Sequence, residues 1–190
     1  MSRGWFQIPN IRLDGDRSIQ EQMLGLEDAL AECAGKTVID LGCAEGAISR
    51  AFAEAGASRV LGIEVLESHL KVARAYCKGY PQIEFVCANL RDYIPAHPDH
   101  ERFDITLCLG IAHKLPDPAV PLRFAARCTK DLLLFRAPGR AALKQWDGTI
   151  KAKHGDGACN VPEIMKAEGF IEEKLIPGVR GEAAQYWRRK

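Results

Sequence analysis

The chain has 190 residues and a formal net charge of +1, with 47% hydrophobic and 27% charged residues. These values are typical of a globular domain with a substantial core. The charge is only mildly uneven along the chain, which favours a solvated surface over a nucleic-acid footprint. No apolar run approaches the roughly 18 residues that cross a bilayer, and the first residues lack the plan of a secretory signal, so we predict a cytoplasmic protein without membrane contact.

The first 35 residues combine an irregular apolar segment with a helical pattern. Residues 1–17 carry apolar side chains interrupted by Asp14-Gly15-Asp16, which predicts an extended strap packed across the domain. Ser18 and Glu21 have the spacing of a capping box. The apolar stripe that follows predicts one helix ending near Gly35.

Strands and helices then alternate along the chain. We predict strands at 37–41, 59–65, 83–87, 103–109, 131–136, 171–176 and 184–187, and helices at 47–55, 66–78, 118–128 and 161–168. Gly178 and Gly181 indicate a turn between the last two strands. The alternation predicts an α/β fold with an open, doubly wound, mostly parallel sheet of seven strands, whose last strand is an antiparallel edge.

No repeat, low-complexity segment or linker divides the sequence, so we predict a single domain over residues 1–190. Its parts are a strap and helix at 1–35, a core at 36–136, and closing strands with a basic loop at 137–190. The seven cysteines, at positions 33, 43, 77, 87, 108, 128 and 159, are odd in number and form no Cys-x-x-Cys pair. This pattern argues against a disulfide framework or a zinc site, and we expect no metal.

The stretch Lys36–Gly46 joins a buried strand to a helix through a short glycine turn, which brings a ligand close to bare backbone at the end of a strand. Such a turn commonly binds a dinucleotide or S-adenosyl-L-methionine. Dinucleotides require a Gly-x-Gly-x-x-Gly pattern, whereas Ala44 occupies the middle position here and Glu45 follows it. A carboxylate repels pyrophosphate and attracts a sulfonium or an ammonium, so the turn favours the cationic ligand.

Five segments carry a resemblance to a known family. Val38–Gly46 resembles the first motif of class I, Rossmann-like S-adenosyl-L-methionine-dependent methyltransferases, and Leu61–Glu64 resembles their acidic strand end. Phe85–Leu90, Phe103–Gly110 and His113–Pro118 resemble later motifs of the family, in the same order. The resemblance implies S-adenosyl-L-methionine as the cofactor, with S-adenosyl-L-homocysteine as its product.

The resemblance also implies roles for individual residues. Glu64 is expected to bind the two ribose hydroxyls, and Asn89 to face the adenine amino group, where the family usually has Asp. The expected cofactor-binding residues are Asp40, Gly42, Cys43, Ala44, Glu45, Gly46, Glu64, Val65, Asn89, Leu90, Leu109 and Gly110. Simpler roles stay open: capping of loop amides for Asp40, a favourable charge at the next helix's amino end for Glu45, a turn position for Asn89, and core packing for Leu109.

The implied reaction is an in-line displacement at an activated methyl group, in which the enzyme supplies alignment and desolvation. A hydroxyl acceptor also needs a base. His113 is the only histidine near the expected mouth of the pocket and is our candidate catalytic residue, the alternative being a loop histidine without contact to substrate.

The leading function is methyl transfer to an O or N atom of a small-molecule acceptor. One alternative is a tRNA-type RNA methyltransferase, because the region 136–154 interleaves Arg136, Arg140, Lys144, Lys151 and Lys153 with Trp146. Another is a non-catalytic, S-adenosyl-L-methionine-binding module that supports a partner. A nicotinamide-dependent oxidoreductase is the least favoured because of the glycine spacing. The oligomeric state does not follow from the sequence.

Overall fold

The computed structural model describes residues 4–8, 15–137, 147–177 and 182–190. It forms two compact units, which we call unit 1 (residues 1–89) and unit 2 (residues 90–190). The single domain with three parts stays a prediction. In the described part of the chain, no helix is both long and apolar enough to cross a membrane.

Unit 1 begins with a small parallel sheet rather than with unpaired extended chain. Strand β1 (Gly4–Gln7) pairs in parallel with β2 (Gly15–Ser18). The side chains of Phe6 and Ile8 are buried, as expected for a strap that covers apolar surface. The apolar positions predicted between residues 9 and 14 lie outside the described residues.

The single helix predicted after the strap was wrong, because the chain forms two short helices. Helix α1 (Ile19–Met23) begins at the predicted capping box, in which the Ser18 hydroxyl accepts from the Glu21 amide at 3.2 Å. Gly25 then takes a φ of +79°, a left-handed conformation that interrupts the helix. Helix α2 (Glu27–Ala31) follows the break.

The remainder of unit 1 consists of strands and helices in strict alternation. In chain order these are β3 (Thr37–Leu41), α3 (Ala47–Glu54), β4 (Arg59–Glu64), α4 (Glu67–Tyr76) and β5 (Ile83–Cys87). The three strands lie in the order β3–β4–β5 and pair in parallel. Parallel pairing brings the carboxyl ends of β3 and β4 side by side, which is where the polar residues of this unit lie.

Unit 2 opens with a helix that the sequence patterns did not predict, α5 (Leu90–Ala96), which contains Pro95. After it come β6 (Phe103–Leu109), a 3-10 turn at Ala112–Lys114, α6 (Ala119–Cys128) and β7 (Thr129–Ala137). A short antiparallel hairpin of β8 (Thr149–Lys151) and β9 (Ala158–Asn160) precedes α7 (Val161–Ala167), β10 (Phe170–Pro177) and β11 (Ala183–Arg189). The turn predicted at Gly178 and Gly181 lies outside the described residues.

The strands of unit 2 lie in the order β10–β11–β7–β6. Strands β6 and β7 pair in parallel, while β11 runs antiparallel to both β7 and β10. The predicted sheet of seven strands, mostly parallel with an antiparallel edge pair, is confirmed. The prediction that the last strand forms the edge was wrong. Strand β10 forms the antiparallel edge, and the last strand, β11, lies between β10 and β7. The interior position of β11 explains why Tyr186 and Trp187 are fully buried.

Candidate functional site

The glycine turn after β3 uses its amides within unit 1. Gly42 and Cys43 donate to the Ile63 carbonyl at 2.8 and 3.1 Å, and Gly46 donates to the Cys43 carbonyl at 2.9 Å. The amide of Ala44 donates to Oε2 of Glu64 at 3.1 Å. These amides are therefore not arranged to cradle a phosphate, and a carboxylate already occupies the place where one would accept from Ala44.

The turn depends on left-handed backbone and on close packing. Ala44 has a φ of +48°, the only positive value of a non-glycine residue in the described chain. Gly46 has a φ of +74°, and a Cβ there would lie 2.9 Å from Cζ of Phe85. Cys43 turns its side chain into a core cluster with Leu70 and Phe85, so only its backbone is placed to meet a ligand. Of the predicted residues, Cys43 and Gly46 thus have clear packing roles.

Asp40 lies inside β3 and is only 3% exposed. The hydroxyl of Ser49, on α3, donates to its Oδ2 at 2.7 Å. Burial raises the pKa of Asp40 to about 6, against the opposing effect of the Ser49 hydrogen bond, and the nearby Glu64 raises it further. The simpler role considered for Asp40, capping of loop amides, is replaced by this contact with a helix side chain.

Glu64 ends β4 with its carboxylate held in one orientation by backbone amides. Oε1 accepts from Val65 at 2.9 Å and from Leu66 at 3.0 Å, and Oε2 accepts from Ala44 at 3.1 Å. The residue is 9% exposed, while Val65 and Leu66 beside it are about half exposed. The Glu64 carboxylate can accept hydrogen bonds from the hydroxyls of a ligand. The accessible apolar side chains beside it can pack against an apolar ring of the same ligand.

Glu45 makes contacts that the sequence did not predict. It is 1% exposed, and its Oε2 accepts from the backbone amide of Phe6 in β1 at 3.2 Å. Its Oε1 lies 3.4 Å from Nε2 of His69 on α4. Glu45 therefore anchors the N-terminal strand to the glycine turn, and its predicted contact with a ligand stays a prediction.

Taken together, unit 1 buries three carboxylates at the carboxyl ends of β3 and β4. They belong to Asp40, Glu45 and Glu64, each at most 9% exposed. Buried carboxylates are costly unless hydrogen bonds or cations compensate them. The site is therefore electrostatically suited to a cation or to a ligand with several hydrogen-bond donors, and unsuited to a pyrophosphate. Asn89, at the end of this unit, is exposed.

In unit 2 the predicted residues follow β6. Leu109 and Gly110 are half-buried, Gly110 has a φ of +67°, and its amide donates to the Arg136 carbonyl at 3.2 Å. Leu90 is buried at the start of α5, and its predicted role in cofactor binding stays a prediction. Of the basic region 136–154 considered for RNA, Arg136 is only 4% exposed within β7, while Arg140, Lys144 and Trp146 lie outside the described residues.

His113 lies in the 3-10 turn and is half-buried. Its Nδ1 is buried and has no hydrogen-bond partner among the described residues. Its pKa is lowered from 6.5 by burial first, and then by the charges of Lys114 and Lys153, against an opposing effect of Glu182. The imidazole is therefore neutral at neutral pH, as a general base must be. Among the described residues, no group of three His, Cys, Asp or Glu side chains could hold a metal ion.

Comparison with known proteins gives a consistent result. Residues 38–131 match a family model described as a methyltransferase domain. A ubiquinone biosynthesis O-methyltransferase of Thiobacillus denitrificans is 33% identical over 131 residues, which are 68% of this chain and 55% of the relative. A protein of the same name from Pseudomonas paraeruginosa is 38% identical over 109 residues, which are 54% of this chain and 44% of the relative. The chain spans about half the length of these curated relatives.

Solved structures resemble the fold as a whole. Magnesium protoporphyrin IX methyltransferase from Synechocystis PCC 6803, solved with bound SAH, superposes with a TM-score of 0.68 at 19% identity, over 90% of this chain and 84% of that one. At this identity the likeness concerns the fold alone. The matched segment identifies residues 38–131 as a methyltransferase domain. The likeness to solved structures shows that its fold is the Rossmann-like fold of class I methyltransferases.

Proposed function

We propose that this chain is an S-adenosyl-L-methionine-dependent methyltransferase that acts on an O or N atom of a small molecule. The observation that carries the proposal is the set of three buried carboxylates at the ends of β3 and β4. The sulfonium and ammonium of S-adenosyl-L-methionine compensate such a field, and its ribose supplies hydroxyl donors for Glu64. The bound cofactor of the Synechocystis relative and the family match support the same cofactor.

The residues of unit 1 fit this cofactor by their chemistry. Glu64 is an acceptor held by three amides, and Val65 and Leu66 offer exposed apolar surface beside it. When bound, S-adenosyl-L-methionine supplies an electrophilic methyl group on a sulfur that leaves readily. The chain supplies orientation through the fixed carboxylate, and a negative field through Asp40 and Glu45.

The residues of unit 2 supply the proton chemistry in this proposal. With the hydrogen of the neutral imidazole on the buried Nδ1, His113 keeps the lone pair of Nε2 for the acceptor's hydroxyl proton. Because its pKa lies below the ordinary value, this base form predominates at neutral pH. Turnover limited by His113 should therefore fall only in acid.

An oxygen acceptor is the leading choice. The curated relatives are named as O-methyltransferases of ubiquinone biosynthesis, which supports a hydroxyl-bearing small molecule as the acceptor here. Two arginines of β11 are committed to structural contacts and are therefore poorly placed to bind RNA. Arg188 pairs with Asp131 and Glu173, and Arg189 donates to backbone carbonyls of unit 2. RNA methylation and a non-catalytic partner role stay predictions.

The test is calorimetric titration of the purified chain with S-adenosyl-L-homocysteine, with NADH as the control ligand. We expect binding of the first alone. The variant Glu64→Gln keeps the shape of the side chain and removes its charge, and should weaken binding about 10- to 100-fold, the scale of a hydrogen bond to a charged group. Glu67→Gln, at an exposed position three residues away, is the matched control and should bind like the wild type. Equal affinities for all three proteins would contradict the proposed site.

A further inference from the structure

The surroundings of His113 are built by two segments of unit 2. The hairpin of β8 and β9 contacts the loop after β6, where the amide of Lys153 donates to the His113 carbonyl at 2.6 Å. At Gly157 a Cβ would clash with the Pro116 carbonyl oxygen, so the two backbones are in close contact there. Ala152 also donates to the Gly157 carbonyl at 2.7 Å, which closes the end of the hairpin. The position of Lys153 relative to His113 is thus fixed by backbone.

The charges around the imidazole are mainly positive. Lys114 follows His113 directly, and Lys153 approaches from the hairpin; both act electrostatically on the ring, while Glu182 acts in the opposite sense. Within the ranges that the structure describes, no carboxylate lies within ion-pair distance of Lys153. The backbone of Lys153 is thus held next to His113, and its exposed side chain adds positive charge near a buried, unpartnered ring nitrogen. Such a site favours an anion.

We propose that the methyl acceptor is a hydroxy acid, whose carboxylate pairs with Lys153 while its hydroxyl faces His113. This inference rests on the proposed function and adds the substrate class. The carboxylate gives the acceptor a fixed orientation, so the same ion pair that binds the substrate also aligns its hydroxyl. A local positive charge at this turn matches one carboxylate, whereas RNA binding uses rows of cations along a phosphate backbone.

The ion pair also affects the base. Burial, then the charges of Lys114 and Lys153, lower the pKa of His113 in the free protein. A bound carboxylate cancels part of that positive field and raises the pKa toward its ordinary value, which makes Nε2 a stronger proton acceptor when substrate is present. The acceptor would thereby activate the group that deprotonates it.

The first measurement follows the imidazole signal of His113 by NMR, in protein saturated with S-adenosyl-L-homocysteine. The probes are 3-hydroxybenzoate and its neutral counterpart 3-hydroxybenzamide. We expect the acid to bind at least 10-fold more tightly than the amide and to raise the pH midpoint of the His113 titration. The amide should leave that midpoint unchanged. Equal binding of the two probes, or no shift with the acid, would overturn the proposal.

Variants assign the effect to one side chain. Lys153→Met should abolish the preference for the acid and the shift of the His113 midpoint, because it keeps the backbone contact and removes the charge. Lys151→Met, at an exposed position of the same hairpin, should retain both effects. A preference that survives Lys153→Met would refute the assignment, as would Lys153-dependent binding of a single-stranded RNA 12-mer in place of the acid.

The same samples separate this inference from the proposed function. If S-adenosyl-L-homocysteine fails to bind, the proposed function itself is wrong. If it binds and the acid and amide behave alike, only the substrate class is wrong.

Discussion

Burial within β3 brings the pKa of the Asp40 side chain close to neutral pH. Its pKa of about 6 lies above the ordinary value of 3.8 because the site is buried. The folded state therefore holds a proton that the unfolded chain releases. The resulting contribution to the free energy of unfolding is fully present below pH 3.8 and is lost as the pH rises through about 6.

We predict that this loss disappears in Asp40→Asn. The wild type should lose about 2–3 kcal/mol of unfolding free energy through this group between pH 4 and 7, since each pKa unit corresponds to about 1.4 kcal/mol. The asparagine variant should show a correspondingly smaller pH dependence over the same range. Urea denaturation at pH 4, 5, 6 and 7 measures both curves, and parallel curves would contradict the burial of an ionisable carboxyl at this position.

The contacts of Glu45 show why residue roles are hard to predict from sequence. The position of Glu45 in the glycine turn was predictable from the sequence. Its charge suggested contact with a cationic ligand. Its contact with Phe6 joins residues 39 positions apart, which depends on how the first strand packs and leaves no local pattern. By contrast, the capping box of Ser18 and Glu21 was predictable because both partners lie within one helical turn.

At the scale of elements, Arg189 at the end of β11 binds the ends of two helices. Its guanidinium donates to the carbonyls of Ala126 in α6, of Thr129 just after it, and of Glu168 after α7. It also lies 4.4 Å from the centre of the Phe170 ring. Carbonyls in the last turn of a helix lack partners within the helix and favour a cation.

Arg189→Met should therefore lower the free energy of unfolding by about 2–4 kcal/mol, the scale of losing several charge-assisted hydrogen bonds at once. Arg189→Lys should recover part of the loss, because it retains the charge without the planar fork. Urea denaturation gives the values. The matched control is Arg127→Met at an exposed arginine of α6, which should change stability little. A similar loss in both variants would show that binding of the helix-end carbonyls by Arg189 does not stabilise the fold.

Most elements were predictable because hydrophobic periodicity is local. The bounds of β3, β5 and β6 agree with the predicted ranges. The break at Gly25 was missed because the apolar stripe continues across it, although the glycine was the available signal. Helix α5 was missed because Pro95 suggests a helix end, and the β8–β9 hairpin because its strands have only three residues each.

For the molecule as a whole, cofactor binding should protect unit 1 most strongly, because this unit holds the buried carboxylates. S-adenosyl-L-homocysteine at 100 times its Kd should stabilise the folded state by about 2.7 kcal/mol through mass action. We predict that hydrogen exchange slows most in peptides from β3, the glycine turn and β4. Mass spectrometry of exchanged peptides measures this directly. Glu64→Gln at the same ligand concentration should show a smaller effect, and protection confined to β10 and β11 would contradict the site.

The edge position of β10 has a consequence for the behaviour of the chain at high concentration. An edge strand offers unpaired backbone groups to any other strand, and Ile171 and Leu175 add exposed apolar side chains, 47% and 43% accessible. Three charged residues, Glu172, Glu173 and Lys174, lie between these two apolar positions. The pairing with β11 shifts register between Glu172 and Lys174, and the strand ends at Pro177. Charges, a bulge and a proline are the devices that block strand addition. The edge of this sheet is thus protected against aggregation by its own sequence.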